Sequence, residues 1–310
     1  MMYDVCVIGG GPAGMFSSYY ASSRSLKTIL IDANSKLGGR LNYYLQMPLY
    51  DVPGEFGTKT HELLNRYIKQ LYKSDALILL NTAVLEVKKQ ETHFTVKTSK
   101  KLIEAKAIIV ATGNGIIQNK ELKTTKADEE TLKKISYEVK EEEFNLYKKV
   151  AIIGHTPMAI DWAIQFAQNG VQVSLYETKP LQLQPILMNQ LNDLPIERFT
   201  FNTVKGICFK KEVFEIDEAI YEKVFSHLGT TKQSICFSDK LVSLDNGITS
   251  VQGLFIAGDA RNEHGKLKLI HGATHDAMQA VNEANQYLNK EDFYQPIVST
   301  HHPIFKEWSK

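Results

Sequence analysis

Three glycines, Gly9, Gly11 and Gly14, stand at Gly-x-Gly-x-x-Gly spacing, with Pro12 and Ala13 between the last two. The pattern serves binding. A first glycine permits a tight turn, a second lets the backbone approach a pyrophosphate, and a third allows a helix to pack closely on a strand. Pro12 suits the first turn of that helix, where a missing N–H costs little, and the remaining N–H groups and the helix dipole face the phosphates. The same arrangement nearly recurs at "KKVAIIGHTPMAIDWAIQ". There Gly154 matches Gly9, Thr156 matches Gly11, Pro157 matches Pro12 and Ala159 matches Gly14.

The elements around the first glycines agree with this chemistry. "YDVCVI" has the apolar and β-branched residues of a buried strand, "PAGMFSSYY" follows as a helix, and "KTILIDA" is a second strand ending in Asp32. An acid at that point is placed to take ribose hydroxyls. Two later stretches, "AKAIIVATGNG" and "GLFIAGDARNEHGKLKLIHGATHDAMQAVNEANQYL", are those expected of a flavoprotein built on two dinucleotide folds. Asp259 follows a strand there and is placed for the ribityl or pyrophosphate region. The helix beginning near Gly272 aims its N-terminus at a flavin pyrimidine, where negative charge grows on reduction. FAD is the ligand expected at the first fingerprint.

Composition narrows the function further. Of 310 residues 43% are apolar, enough for two cores, and 36 Lys and Arg balance 35 Asp and Glu to a net charge of +1. This predicts no broad attraction to nucleic acid or to an anionic membrane. Apolar runs such as "KAIIVATG" are too short to span a bilayer, and a strand starting at Tyr3 leaves no space for a signal peptide, so a cytoplasmic protein is expected. Cys6, Cys208 and Cys236 are scattered, form no Cys-x-x-Cys pair and read as structural. His271 and His275 share a helix face without a third ligand at recognisable spacing, so no metal site is expected.

With these segments in view, the chain resembles the thioredoxin-reductase-like ferredoxin-NADP reductases over nearly its whole length. The matching stretches are "VIGGGPAGMFSSYYASSRS", "KLGGRLNYYLQMPLYDVPG", "NTAVLEV", "VATGNG", "VAIIGHTPMAIDWA", "FIAGDA", "GKLKLIHGATHDAMQAVNEA" and the tail "QPIVSTHHPIF". The resemblance implies an α/β fold of two Rossmann-like domains, the second inserted in the first: residues 1–114 and 246–310 for FAD, and residues 115–245 as the NAD(P)H-type domain. The charged run between Asn119 and Lys149 is expected to be a solvated, partly helical connection. A homodimer is expected by analogy.

The resemblance also implies site residues. Gly9, Gly11, Pro12, Ala13 and Gly14 would meet the pyrophosphate, Asp32 the ribose, and Arg40 the flavin nucleotide after the Gly38–Gly39 turn. Tyr44, or Leu45 if the match slips by one residue, would stack on the flavin. Val84 would make an adenine-side backbone contact, Asp259 the ribityl contact and Thr300 a contact from the tail. Arg40 stands where the family usually has Gln, and Ile117 where it has Phe. The tail's stacking aromatic aligns with Val298, leaving His301 or His302 to supply a ring.

In this family the inserted domain binds NADPH, and Gly154, Thr156, Ala159 and Glu177 are the corresponding positions here. Thr156 puts a side chain where the backbone would touch a pyrophosphate, and Thr-Pro is a good N-cap and first-turn pair, so its hydroxyl is expected to take a helix N–H that a phosphate would otherwise hold. Glu177 ends its strand where NADPH-specific relatives have basic residues, and "ETKPLQLQ" offers only Lys179. Weak nicotinamide binding is therefore expected, with NADH favoured over NADPH. The expected activity is a flavin-dependent reductase passing electrons between a reduced donor and a ferredoxin- or flavodoxin-type carrier, with FAD itself as the reacting group and no side-chain acid or base. The alternatives are a flavoprotein fed by ferredoxin, flavodoxin or a thiol without nicotinamide, and a non-catalytic flavin-binding sensor or assembly subunit. Lys266 and Lys268 read as docking lysines near the flavin edge or as ordinary surface lysines.

Overall fold

The computed structural model describes residues 2–113, 115–233, 236–237, 245–261 and 264–290. The chain starts with β1 (Met2–Ile8), the glycine turn, α1 (Pro12–Ser23) and β2 (Thr28–Ile31). A loop containing a 3₁₀ segment, Gly39–Tyr43, leads to α2 (Thr60–Leu71), β3 (Leu77–Leu79), β4 (Val84–Lys89), β5 (Phe94–Thr98) and β6 (Leu102–Val110). Next come β7 (Ile116–Asn119), α3 (Glu129–Lys134), β8 (Lys149–Gly154), α4 (Pro157–Gln168), β9 (Gln172–Glu177), α5 (Pro185–Asn192) and β10 (Ile196–Thr200). A meander of β11 (Ile207–Lys210), β12 (Val213–Ile216) and β13 (Ala219–Tyr221) precedes β14 (Lys223–His227) and β15 (Thr230–Gln233). The chain returns through β16 (Cys236–Phe237) and β17 (Leu254–Ile256) to α6 (Ile270–Leu288).

The larger unit comprises residues 1–116 and 233–310. Its sheet runs β16-β4-β5-β6-β1-β2-β3, with β17 also paired to β6. β6 shows why this sheet is mixed. Its first half, Leu102 to Ala105, pairs antiparallel with β5 and alternates exposed and buried residues, whereas Ala107 to Val110 is continuously buried between parallel β1 and β17. A run apolar at every position fits a strand covered on both faces. Val5 and Val7 face a core with Met15 and Tyr19 of α1 and Val281 and Ala284 of α6, while Cys6 and Ile8 face the opposite core with Phe94 and Val96. Cys6 is fully buried and its thiol is pushed up to about 12 by desolvation, consistent with a packing role.

The smaller unit comprises residues 117–232. Its four strands, in the order β10-β9-β8-β14, are all parallel, with the β11-β12-β13 meander forming a separate sheet. The charged run expected as a solvated connection is part of this unit. Leu122 and Ile135 are buried with Phe214 and Val224, and α3 is capped by Asp128, which accepts from Thr131 N at 2.7 Å. Its charges lie on the outer face of a packed segment.

The second crossing of the chain also differs from expectation, falling at 232/233 rather than 245/246. The cause is β16, whose two residues pair in parallel with Glu86 and Val87 of β4 and so extend the larger unit's sheet. A strand this short has no readable periodicity.

Candidate functional site

The first turn separates glycines that the fold requires from one that it does not. Gly9 has φ +108°, and a Cβ there would lie 2.5 Å from the Ala111 carbonyl oxygen. At Gly14 a Cβ would lie 1.7 Å from the Gly9 carbonyl oxygen. Gly11 has φ −75°, and a Cβ there would meet nothing nearer than Gly39 Cα at 4.0 Å. Neither strain nor packing demands glycine at 11. Open space in front of its backbone is what an approaching pyrophosphate needs. Gly11 is also the N-cap of α1 and supplies no side-chain cap, so the first-turn N–H groups remain available to an anion. This part of the chain fits FAD.

Two other segments converge on the same turn. Gly38 donates its N–H to the Gly10 carbonyl at 2.8 Å, and a Cβ on Gly39 would stand 3.0 Å from Gly11 Cα. Arg40 is thereby brought to the turn. From the other side, Gly258 adopts φ +67° and approaches Ala13 so closely that a Cβ would lie 2.9 Å from the Ala13 Cβ. Asp259, next in sequence, pairs with Arg40 at 3.7 Å. Gly11, Arg40 and Asp259, from three separate stretches of sequence, therefore share one locality.

Asp32 ends at the turn with its carboxylate already engaged. One oxygen accepts from Gly10 N, and the other accepts from Asn34 N at 2.7 Å and Asn34 Nδ2 at 2.9 Å. It organises the turn and keeps acceptor capacity on one oxygen for a ribose hydroxyl. Tyr44 ends the 3₁₀ segment half-buried, while Leu45 packs on the core, so of the two stacking candidates it is Leu45 whose side chain is already used. The Val84 side chain is buried in the core, which restricts any ligand contact to its main chain. Ile117 lies on β7 and begins the smaller unit. Val298, Thr300, His301 and His302 lie outside the described residues.

α6 starts at Ile270, two residues before the expected Gly272. Asp276 of this helix accepts from Arg261 Nη1 at 2.8 Å, from Gly258 N at 3.1 Å and from Lys266 Nζ. Asp276 and Arg261 are buried, and Lys266 is 11% exposed. Neither alternative read for Lys266, a docking lysine or an ordinary surface lysine, describes it: its ammonium pairs with Asp276 inside the larger unit, whereas Lys268 is exposed. Arg261, which sequence reasoning passed over, is the second cation of this cluster. Among the described residues no group of three or more His, Cys, Asp or Glu could hold a metal ion.

The second turn has the same backbone plan and a different occupant. Gly154 ends β8 where a Cβ would lie 2.5 Å from the His227 carbonyl oxygen, and Ala159 packs below it. Thr156 is the N-cap of α4, and its Oγ1 accepts from Ala159 N at 3.2 Å. The same hydroxyl is 2.6 Å from His227 Nδ1. His155 Nδ1 lies 2.7 Å from Thr178 Oγ1. Burial lowers the pKa of both histidines, aided by Lys179 and Lys120 at His155 and by His155 at His227. Trp162 packs edge-on to His227 with centroids 5.4 Å apart.

At the end of β9, Glu177 accepts from Arg198 Nε at 2.6 Å. Besides Lys179 of "ETKPLQLQ", a second positive charge therefore stands here. Arg198 lies on β10, and the register pairing Thr200 with Glu177 sets it one pleat away on the neighbouring strand. That register was the missing signal, because α5 and its flanking loops separate the two strands in sequence.

Comparison with known proteins gives the family and the fold. Residues 3–277 match the pyridine nucleotide-disulphide oxidoreductase family. Ferredoxin–NADP reductase 1 of Bacillus mycoides (strain KBAB4) is 31% identical, over 99% of this chain and 95% of its own. Ferredoxin–NADP reductase 2 of Bacillus subtilis (strain 168) is likewise 31% identical, over 96% of each chain. Among solved structures, thioredoxin reductase of Lactococcus lactis superposes with a TM-score of 0.72 over 93% of this chain and 99% of its own, at 21% identity, and so shares the fold. No helix among the described residues is long and apolar enough to cross a membrane. The chain therefore belongs to the pyridine nucleotide-disulphide oxidoreductase family, resembles its ferredoxin–NADP reductases along nearly its full length, and is a flavin-dependent oxidoreductase.

Proposed function

We propose that the protein is a ferredoxin- or flavodoxin-type reductase that holds FAD tightly at its first turn and a nicotinamide dinucleotide weakly at its second, NADH in preference to NADPH. One observation carries this reading: α1 begins with an uncapped glycine, and α4 begins with Thr156 capping its own helix. An uncapped N-terminus leaves its N–H groups to a phosphate, whereas a capped one must exchange an existing bond for the new one. Bound FAD supplies the redox chemistry, exchanging electrons in pairs with a nicotinamide and singly with a one-electron carrier. The protein's part is binding and orientation. Gly11 and the start of α1 would take the pyrophosphate, Asp32 the ribose, Arg40 and Asp259 the linking region, and Tyr44 one face of the flavin.

At the second turn the fit is divided. Glu177 keeps an acid at the ribose end, while Thr156 and His227 fill the approach that a pyrophosphate would use. The curated relatives are named as acting on ferredoxin and NADP, which supports a ferredoxin-type partner for this chain. A second reading, reduction by the protein carrier without nicotinamide, is favoured by the Thr156–His227 bond, since a ligand would have to break it. Anaerobic titration of the FAD-loaded protein with NADH and with NADPH, following flavin bleaching, tests both. Slow bleaching with NADH ahead is expected. Rapid bleaching by low NADPH would reject the weak-site reading, and none by either at millimolar concentration would select the carrier-fed one.

A further inference from the structure

We propose that Arg198 is the specificity-determining residue at the ribose end of the second dinucleotide site: a 2′-phosphate ligand held masked by Glu177. The inference rests on the reading that β8, α4 and β9 hold a nicotinamide dinucleotide. Glu177 is half-buried at the carboxyl end of β9, with its side chain 17% exposed. An acid at this place in a βαβ unit takes the hydroxyls of an adenosine ribose. Arg198 binds that acid through Nε at 2.6 Å and reaches Asn192 Oδ1 through Nη1 at 3.3 Å. The guanidinium is thus positioned from both sides, and the side chain remains 36% exposed.

The arrangement has two effects. By donating to Oε1, Arg198 fixes the carboxylate's orientation and leaves Oε2 to accept from a ribose hydroxyl. Arg198 also stands one hydrogen bond beyond the carboxylate, so a phosphate in place of the 2′-hydroxyl meets a carboxylate first and a guanidinium second. The repulsion is met at close range. The attraction is reduced because the guanidinium is already paired. Arginine otherwise suits bidentate phosphate recognition, having five donors in a planar fork. Neutralising Glu177 alone should then convert the site, with no basic residue added. Of the other charges nearby, Lys179 acts electrostatically on His155, and Glu197 accepts from Ser174 Oγ at 3.0 Å.

Binding of ADP-ribose and of its 2′-phosphate, both redox-silent, is measured by isothermal titration calorimetry on the FAD-loaded wild type, Glu177→Gln, Arg198→Gln and the double variant, with melting temperatures recorded. The wild type should prefer ADP-ribose. Glu177→Gln should bind the 2′-phosphate at least tenfold more tightly than wild type does, while ADP-ribose changes by only a few-fold, because glutamine still accepts from ribose and from Arg198. Arg198→Gln should weaken ADP-ribose without improving the phosphate. The double variant should lose the gain. A gain below twofold in Glu177→Gln, or one that survives in the double variant, overturns the role of Arg198 while leaving nicotinamide binding in place. No binding of either ligand to any of the four proteins at millimolar concentration overturns both the role and the reading on which it rests.

Discussion

Replacing Thr156 with glycine separates the two consequences of the second turn's self-cap. A phosphate arriving at α4 must displace Oγ1 from Ala159 N, and the approach also breaks the 2.6 Å contact with His227 Nδ1. Each such bond contributes about 1 kcal/mol net, so the resident hydroxyl opposes the ligand by about 2 kcal/mol, or about 30-fold in affinity. Thr156→Gly should therefore lower the apparent Kd for both NADH and NADPH by about 10- to 30-fold, leaving their ratio unchanged because Glu177 and Arg198 are untouched. Stability should move the other way. A glycine cap costs only a few tenths of a kcal/mol, but His227, 8% exposed, loses its partner at a cost of about 1 to 3 kcal/mol. Stopped-flow flavin reduction at varied nicotinamide and a urea melt on the same preparation give both quantities. A variant that is destabilised while its reduction constants stay at the parent values would show that the hydroxyl is a structural bond with no bearing on the ligand, and would refute the argument.

The first turn yields a paired prediction: Gly11→Val should fold yet purify colourless, since its Cβ enters space the protein leaves open, whereas Gly14→Ala should fail to fold because its Cβ would lie 1.7 Å from a carbonyl oxygen; absorbance near 450 nm with circular dichroism reads both, and a yellow Gly11→Val would reject the FAD assignment. Asp161 on α4 is raised to about 6 by burial, so the acid stabilises the fold below its unfolded value near 3.8 and that contribution is lost as pH rises through 6. Asp161→Asn should thus stabilise at pH 7.5 by about 2 kcal/mol, after allowance for its partial exposure, with the gain vanishing near pH 4; equal melting shifts at both pH values would contradict this. His227 has the opposite sign, its lowered pKa making the parent lose stability as pH falls through 6.5, and a His227→Gln variant should flatten that loss in a melting series from pH 7.5 to 5. Asp276→Leu leaves Arg261 and Lys266 buried without their carboxylate and should cost about 3 to 5 kcal/mol in a denaturant melt, a loss under 1 kcal/mol showing that the cluster is solvated.

What could be read from the sequence followed from how local the physics was. The first turn was legible because its glycine pattern lies within six residues, and the structure adds that Gly9 and Gly14 answer to the fold, Gly9 through the distant Ala111 carbonyl, while Gly11 does not. The Thr156 cap was legible for the same reason, since capping acts over three residues and Thr-Pro signals it. Arg198 was not legible as a neighbour of Glu177, because only the pairing of β9 with β10 brings them together. The pairing of Lys266 was not legible because its partner, Asp276, approaches only once α6 docks. The boundary near 232 was missed because a two-residue strand owes its existence to the edge it joins.

The insertion of one unit within another also sets an order of assembly. Residues 117–232 are contiguous, so every strand of the β10-β9-β8-β14 sheet has left the ribosome once Lys232 has. The larger unit begins first and must finish last. Its central strand β6 waits for β17, with Ile108 pairing Leu254, and α1 waits for α6 to cover it. Contacts closed across so long a span are slow to form, and until they form one side of β6 and the apolar face of α1 remain open to other chains. A nascent chain stalled once Lys232 has cleared the ribosomal exit tunnel should accordingly show a protease-resistant core from the middle of the sequence and none from its start, and overexpression should favour aggregates through the early strands, whose folding is delayed until α6 emerges.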